Sequence, residues 1–152
     1  MMCVLENLFL LHSLKVKGVY AGSGLGRLLS QRLCKMGARL VLWDVDAAGM
    51  AEMKHLLESA DVEAHAYTVD LSQREAIYQT AEKVKSVVGV VEVMVNNAGV
   101  VRGSSLDVIP DKSIKRVFAI NTLAHFWTTS SWWELCQEAA SYEALGAGSS
   151  GE

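Results

Sequence analysis

Short apolar runs alternate with helically periodic segments along most of the chain, and this alternation is the strongest constraint on its fold. Lys15-Val16-Lys17 leads into Gly18-Val19-Tyr20-Ala21, the expected end of a first strand. Leu25, Leu28 or Leu29, Arg32 or Leu33, and Met36 recur at helical spacing, and Gly37 stands where that helix should stop. Arg39-Leu40-Val41-Leu42-Trp43-Asp44 predicts a second, buried strand. Met50, Met53, Leu57 and Ala60 mark a second helix, and Glu63–Asp70 a third strand. Ile77, Ala81, Val84 and Val88 mark a third helix ended by Gly89, and Val90–Asn96 a fourth strand. Ile114, Val117, Ile120, Ala124 and Trp127 give helical periodicity from Asp111 to about Trp133. Strands that alternate with helices and are almost wholly apolar predict an α/β fold: a doubly wound parallel sheet covered on both faces.

Composition excludes several classes. With 51% hydrophobic and 20% charged residues, the chain can build a core. A net charge of −3 argues against nucleic-acid binding through bulk positive charge. Cys3, Cys34 and Cys136 are odd in number and widely spaced, as free thiols in a reducing compartment are. His12, His55, His65 and His125 show no metal-ligand spacing, so no metal site is expected. The leader is too short and too interrupted by Glu6 and Lys15 to span a bilayer. Leu5, Leu8, Phe9 and Leu11 could line one side of a short helix on a membrane surface, or the leader could pack on the domain; both readings stay open. Residues 117–152 hold four acids and no Lys or Arg, and the chain closes on Gly-Ala-Gly-Ser-Ser-Gly-Glu. The expected organisation is therefore a leader over 1–17, one domain over 18–129 and a flexible tail over 130–152.

Between the first strand and first helix lies Ala21-Gly22-Ser23-Gly24-Leu25-Gly26-Arg27. Glycines there let the backbone approach a pyrophosphate, which the helix N-terminus favours. Asp44 ends the second strand, 18 residues beyond Gly26, near the spacing of an acid that binds ribose hydroxyls and repels a 2′-phosphate. Ser23 is neutral where a 2′-phosphate would favour a base. NAD is thus expected over NADP. The competing reading makes Asp44 a cap of the next helix. Arg27 and Arg39 are read as surface charges, and Trp127, Trp132 and Trp133 as packing or an exposed apolar patch.

At Ala21–Gly26, Asp70-Leu71 and Asn96-Asn97-Ala98-Gly99 the chain resembles the short-chain dehydrogenase/reductase family. Leu40–Asp44, Val100-Val101 and Asn121–Thr129 resemble its retinol dehydrogenase and 17β-hydroxysteroid dehydrogenase branch, over roughly Gly18 to Thr129. The resemblance implies a Rossmann-like sheet, here incomplete at about four strands. It implies cofactor contacts from Gly22, Ser23, Gly24, Leu25, Gly26, Asp44, Asp70, Leu71, Asn97, Ala98 and Gly99, and a catalytic relay role for Asn121. It also implies a lipophilic alcohol as substrate, a homo-oligomer or a pairing with a full-length relative, and association with the endoplasmic reticulum membrane or lipid droplets. If the leader does not anchor, a cytoplasmic chain is expected.

Two departures stand out. Val19 and Tyr20 occupy the family's Thr-Gly places, which predicts weaker cofactor binding and suggests a junction in the transcript or gene model. The family's acid/base pair is Tyr-x-x-x-Lys, yet Tyr20, Tyr67, Tyr78 and Tyr142 are followed four residues on by Gly24, Leu71, Glu82 and Gly146. No Lys follows Lys115, and residues past Thr129 look like an alternatively spliced or read-through end. A fragment that binds nucleotide without turnover is the competing expectation. With nothing after Asn121 read as a strand, Val90–Val95 is expected to leave an open, aggregation-prone sheet edge.

Overall fold

In the computed structural model, the described residues are 15–19, 24–59, 62–89, 91, 93–101 and 108–133. The leader to residue 14, Gly22, Ser23 and the tail from 134 onward lie outside them. The strands are β1 (Lys15–Val19), β2 (Arg39–Asp44), β3 (Ala64–Thr68) and β4 (Val93–Asn96). The helices are α1 (Gly24–Lys35), α2 (Ala47–Glu58), α3 (Arg74–Val88) and α4 (Asp111–Phe118). All pairings are parallel, in the order β3-β2-β1-β4. The expected strand and helix alternation is therefore present, with β3 and β4 shorter than their apolar runs. Because β1 starts at Lys15, the expected leader boundary at residue 17 falls inside a strand. Among the described residues β4 is an edge strand, as expected.

The chain divides into two compact units. The first comprises residues up to Thr68 together with Val91–Asn97, and so holds the whole sheet with α1 and α2. Alternation along β2 splits its side chains between the two sheet faces. Leu40 and Leu42 join Cys34 of α1 and Met50, Met53 and Leu57 of α2 in one apolar core, flanked by Ala64, Ala66, Val93 and Val95. Complete burial of Met53 and Leu57 contributes about 1.5–3 kcal/mol each. Val41 and Trp43 on the opposite face are equally buried, which is why β2 reads as a continuous apolar run.

Helix ends follow local chemistry. Gly37, at φ 81°, closes α1 in a Schellman turn, with Gly37 N–H bonded to Cys34 O and Ala38 N–H to Leu33 O. Asp46 caps α2, its Oδ1 accepting the N–H groups of Ala48 and Gly49 at 3.1 Å each. Arg27–Glu52 and Arg39–Glu63, each at 3.0 Å, are exposed ion pairs, consistent with their reading as surface charges.

The second unit comprises Val69–Val90 and the residues from Ala98 onward. Its long helical stretch continues through residue 133, so residues 130–133, expected as flexible tail, are helical. The stretch is not one regular α-helix. Residues Ala119–Leu123 form a π turn, with Ala124 N–H reaching back to Ala119 O. Apolar periodicity cannot reveal such a one-residue insertion, because Ile120 and Ala124 stay buried through it. Of the three tryptophans there, Trp132 is buried, Trp127 half-buried and Trp133 exposed.

Candidate functional site

Within the sheet unit, register aligns the strands' carboxyl ends. Val19 of β1 sits opposite Trp43 of β2 and Asn96 of β4. Asp44 and Asn97 each follow by one residue, so both stand at that carboxyl edge. Successive strands run outward from β1 through β2 to β3, and β4 then pairs on the opposite side of β1. The order thus reverses at β1, and open α/β sheets bind ligands beyond the carboxyl ends at such a switch point.

Asp44 is 2% exposed, and its Oδ1 accepts the Asp46 N–H at 3.0 Å. The alternative in which Asp44 caps α2 is therefore corrected: Asp46 makes both cap bonds, and Asp44 orients the residue that does so. Gly24 opens α1 with φ 54°, a conformation that side-chain-bearing residues adopt at a cost. Leu25 is exposed, whereas Gly26 is buried with its carbonyl bonded to the Ser30 hydroxyl at 2.8 Å.

In the second unit, Asp70 lies just beyond β3 and folds back locally. Its Oδ1 accepts the N–H (3.0 Å) and hydroxyl (2.8 Å) of Ser72, and Arg116 Nη1 lies 3.7 Å from Oδ2. This is a turn-forming aspartate and not a helix cap; Gln73 holds the cap position of α3. Leu71 is fully buried beside it in sequence.

The loop after β4 is tied to the long helix. Asn121, inside the π turn, accepts the Val100 N–H on Oδ1 (2.8 Å) and donates from Nδ2 to Val100 O (2.9 Å). One turn later, His125 Nε2 lies 3.0 Å from Ala98 O. Between these anchored residues Gly99 is exposed, and a Cβ there would meet nothing closer than Asn121 Oδ1 at 3.9 Å. Residue patterns gave His125 no site role, although it falls in the Asn121–Thr129 run and stands four residues after Asn121 on one helix face. Beside Asn121, an apolar recess of about 320 Å³ is lined by Val100, Val101, Ile109, Ile114, Val117 and Phe118.

Three ionisable groups among the described residues feel their surroundings, and burial pushes the Tyr67 hydroxyl up. Burial pushes the Cys34 thiol up, against a smaller opposing effect of Lys35. Hydrogen bonding from His65 holds the Glu63 carboxyl below its usual range, with Arg39 assisting. Among the described residues no cluster of His, Cys, Asp and Glu could hold a metal. No helix among them is long and apolar enough to cross a membrane.

A parallel α/β sheet with a glycine-opened first helix and a strand-order switch defines a Rossmann-fold protein. The chain belongs to the short-chain dehydrogenase family, whose pattern matches residues 19–141. The match runs past Thr129, where the resemblance had been expected to stop. The chain is 45% identical over 111 residues to estradiol 17-beta-dehydrogenase 11 of Mus musculus, covering 73% of this chain and 37% of that protein. It is 44% identical over 109 residues to epidermal retinol dehydrogenase 2 of Homo sapiens, covering 71% and 35%. The chain thus spans just over a third of the length of these relatives. A metagenomic short-chain oxidoreductase solved in complex with NADP superposes with a TM-score of 0.77 at 28% identity, over 82% of this chain and 57% of that one.

Proposed function

We propose that these 152 residues form the cofactor-holding part of a nicotinamide-dependent oxidoreductase acting on the hydroxyl or carbonyl of a lipophilic alcohol. The strand-order reversal at β1, with Asp44 and Asn97 at the carboxyl edge, carries this reading. The bare backbone at Gly99 and the left-handed Gly24 fit a group that approaches main chain closely. Gly22, Ser23, Gly24, Leu25 and Gly26 would face the pyrophosphate, Asp44 the ribose, Asp70 and Leu71 the adenine, and Asn97, Ala98 and Gly99 the nicotinamide half. The nicotinamide supplies hydride transfer when bound. NAD is favoured over NADP because a carboxylate at Asp44 repels a 2′-phosphate, although the superposed metagenomic relative was solved with NADP.

The substrate class rests on the names of the relatives, a hydroxysteroid and a retinol dehydrogenase. The apolar recess beside Asn121 suits such a molecule. Contact of residues 1–14 with a membrane surface at the endoplasmic reticulum or a lipid droplet, and pairing with a second copy or a full-length relative, complete the proposal.

A second reading is favoured by one sequence fact: no Tyr of these 152 residues stands four before a Lys. Asn121 then has no acid/base partner in the chain, which binds nucleotide without turnover. Calorimetric titration of the purified chain with NADH and NADPH tests the shared claim. Saturable binding that is tighter for NADH supports it, and absence of binding to a folded chain overturns it. NADH formation from NAD with retinol or a 17β-hydroxysteroid decides against the second reading.

A further inference from the structure

We infer that His125 is a positioning residue for the cofactor, acting through the Ala98-Gly99-Val100 backbone; the inference rests on the cofactor reading above. Ala98 O can only accept a hydrogen bond, so His125 Nε2 carries the proton in the 3.0 Å contact. Asn121 and His125 lie four residues apart, and together they make three hydrogen bonds to residues 98 and 100. Each bond addresses a different backbone group: Ala98 C=O, Val100 N–H and Val100 C=O. The residue between, Gly99, is exposed, and a Cβ there would meet only Asn121 Oδ1, at 3.9 Å.

The two anchors are not equivalent. Asn121 alone holds Val100, but a single held residue leaves the Ala98–Gly99 peptide free to rotate. His125 removes that freedom by fixing the carbonyl of the peptide that carries the Gly99 N–H. It therefore sets the direction in which Gly99 presents its backbone. His125 is half-buried, so the bond is partly shielded from competing water.

Substitution separates the donor from the ring. His125→Phe keeps an aromatic ring and removes the Nε2 donor, whereas His125→Gln places an amide donor at similar reach. Two readouts are taken on the full chain: amide hydrogen exchange over residues 98–100 without ligand, and NADH affinity by calorimetry. The expected result is faster exchange and about five- to tenfold weaker NADH binding in His125→Phe, with both restored in His125→Gln. Unchanged exchange in His125→Phe overturns the inference, as does faster exchange with unchanged NADH affinity. Equal losses in both variants also overturn it, since they would report ring packing. If the unsubstituted chain takes up no NADH, the cofactor reading fails and the inference with it, a result distinct from binding that ignores His125.

Discussion

Asn121 and Val100 form a closed two-bond pair, the side-chain amide accepting one backbone N–H and donating to the same residue's C=O. An amide can do both because its oxygen accepts while its separate NH₂ group donates. Asn121→Ala should destabilise the chain by about 1–2 kcal/mol, the net value of two hydrogen bonds, seen as a lower urea midpoint. Asn121→Asp should also destabilise it, because a carboxylate still accepts the N–H but faces the Val100 carbonyl without a proton.

Gly24 and Gly99 should respond differently to alanine. At Gly24 no atom lies within 4 Å of a Cβ, so φ 54° alone opposes the substitution, by about 1–2 kcal/mol. At Gly99 the nearest atom would be 3.9 Å away, so thermal stability should hold while NADH affinity falls about tenfold. Unchanged affinity in Gly99→Ala would remove Gly99 from the cofactor contacts.

Asp44→Asn keeps an oxygen for the Asp46 N–H and removes the charge. The ratio of NADPH to NADH affinity should rise by about tenfold or more, measured by paired titrations. A constant ratio would mean that the carboxylate does not face the ribose.

Asp46→Ala removes the acceptor of two N–H groups at the start of α2 and should cost about 1 kcal/mol in denaturant unfolding. Cofactor preference should stay the same, which separates the capping aspartate from its neighbour two residues before.

The Cys34 thiol is pushed up by burial, so little thiolate forms near neutral pH. Iodoacetamide should modify Cys34 slowly at pH 8 in the folded chain and about tenfold faster in urea, followed by peptide mass mapping. Raising the pH toward the elevated thiol range should speed the folded-state reaction.

Residue pattern alone determined the order and type of the elements. Parallel strands buried on both faces must be apolar throughout, as β2 is, and helices on such a sheet must repeat their apolar residues at helical spacing. Gly24 and Gly37 were legible because a left-handed φ at the start of α1 and at its close favours glycine. What the tertiary structure decided lies between segments distant in sequence. It settled which of Asp44 and Asp46 caps α2, because two carboxylates two residues apart read alike until their hydrogen bonds are seen. It placed a π turn where the apolar repeat looks continuous, and it brought Asn121 and His125 onto Val100 and Ala98 across more than 20 residues of chain. Those bonds join polar groups to main chain, and main-chain partners leave no mark in the identity of the residues that bear them.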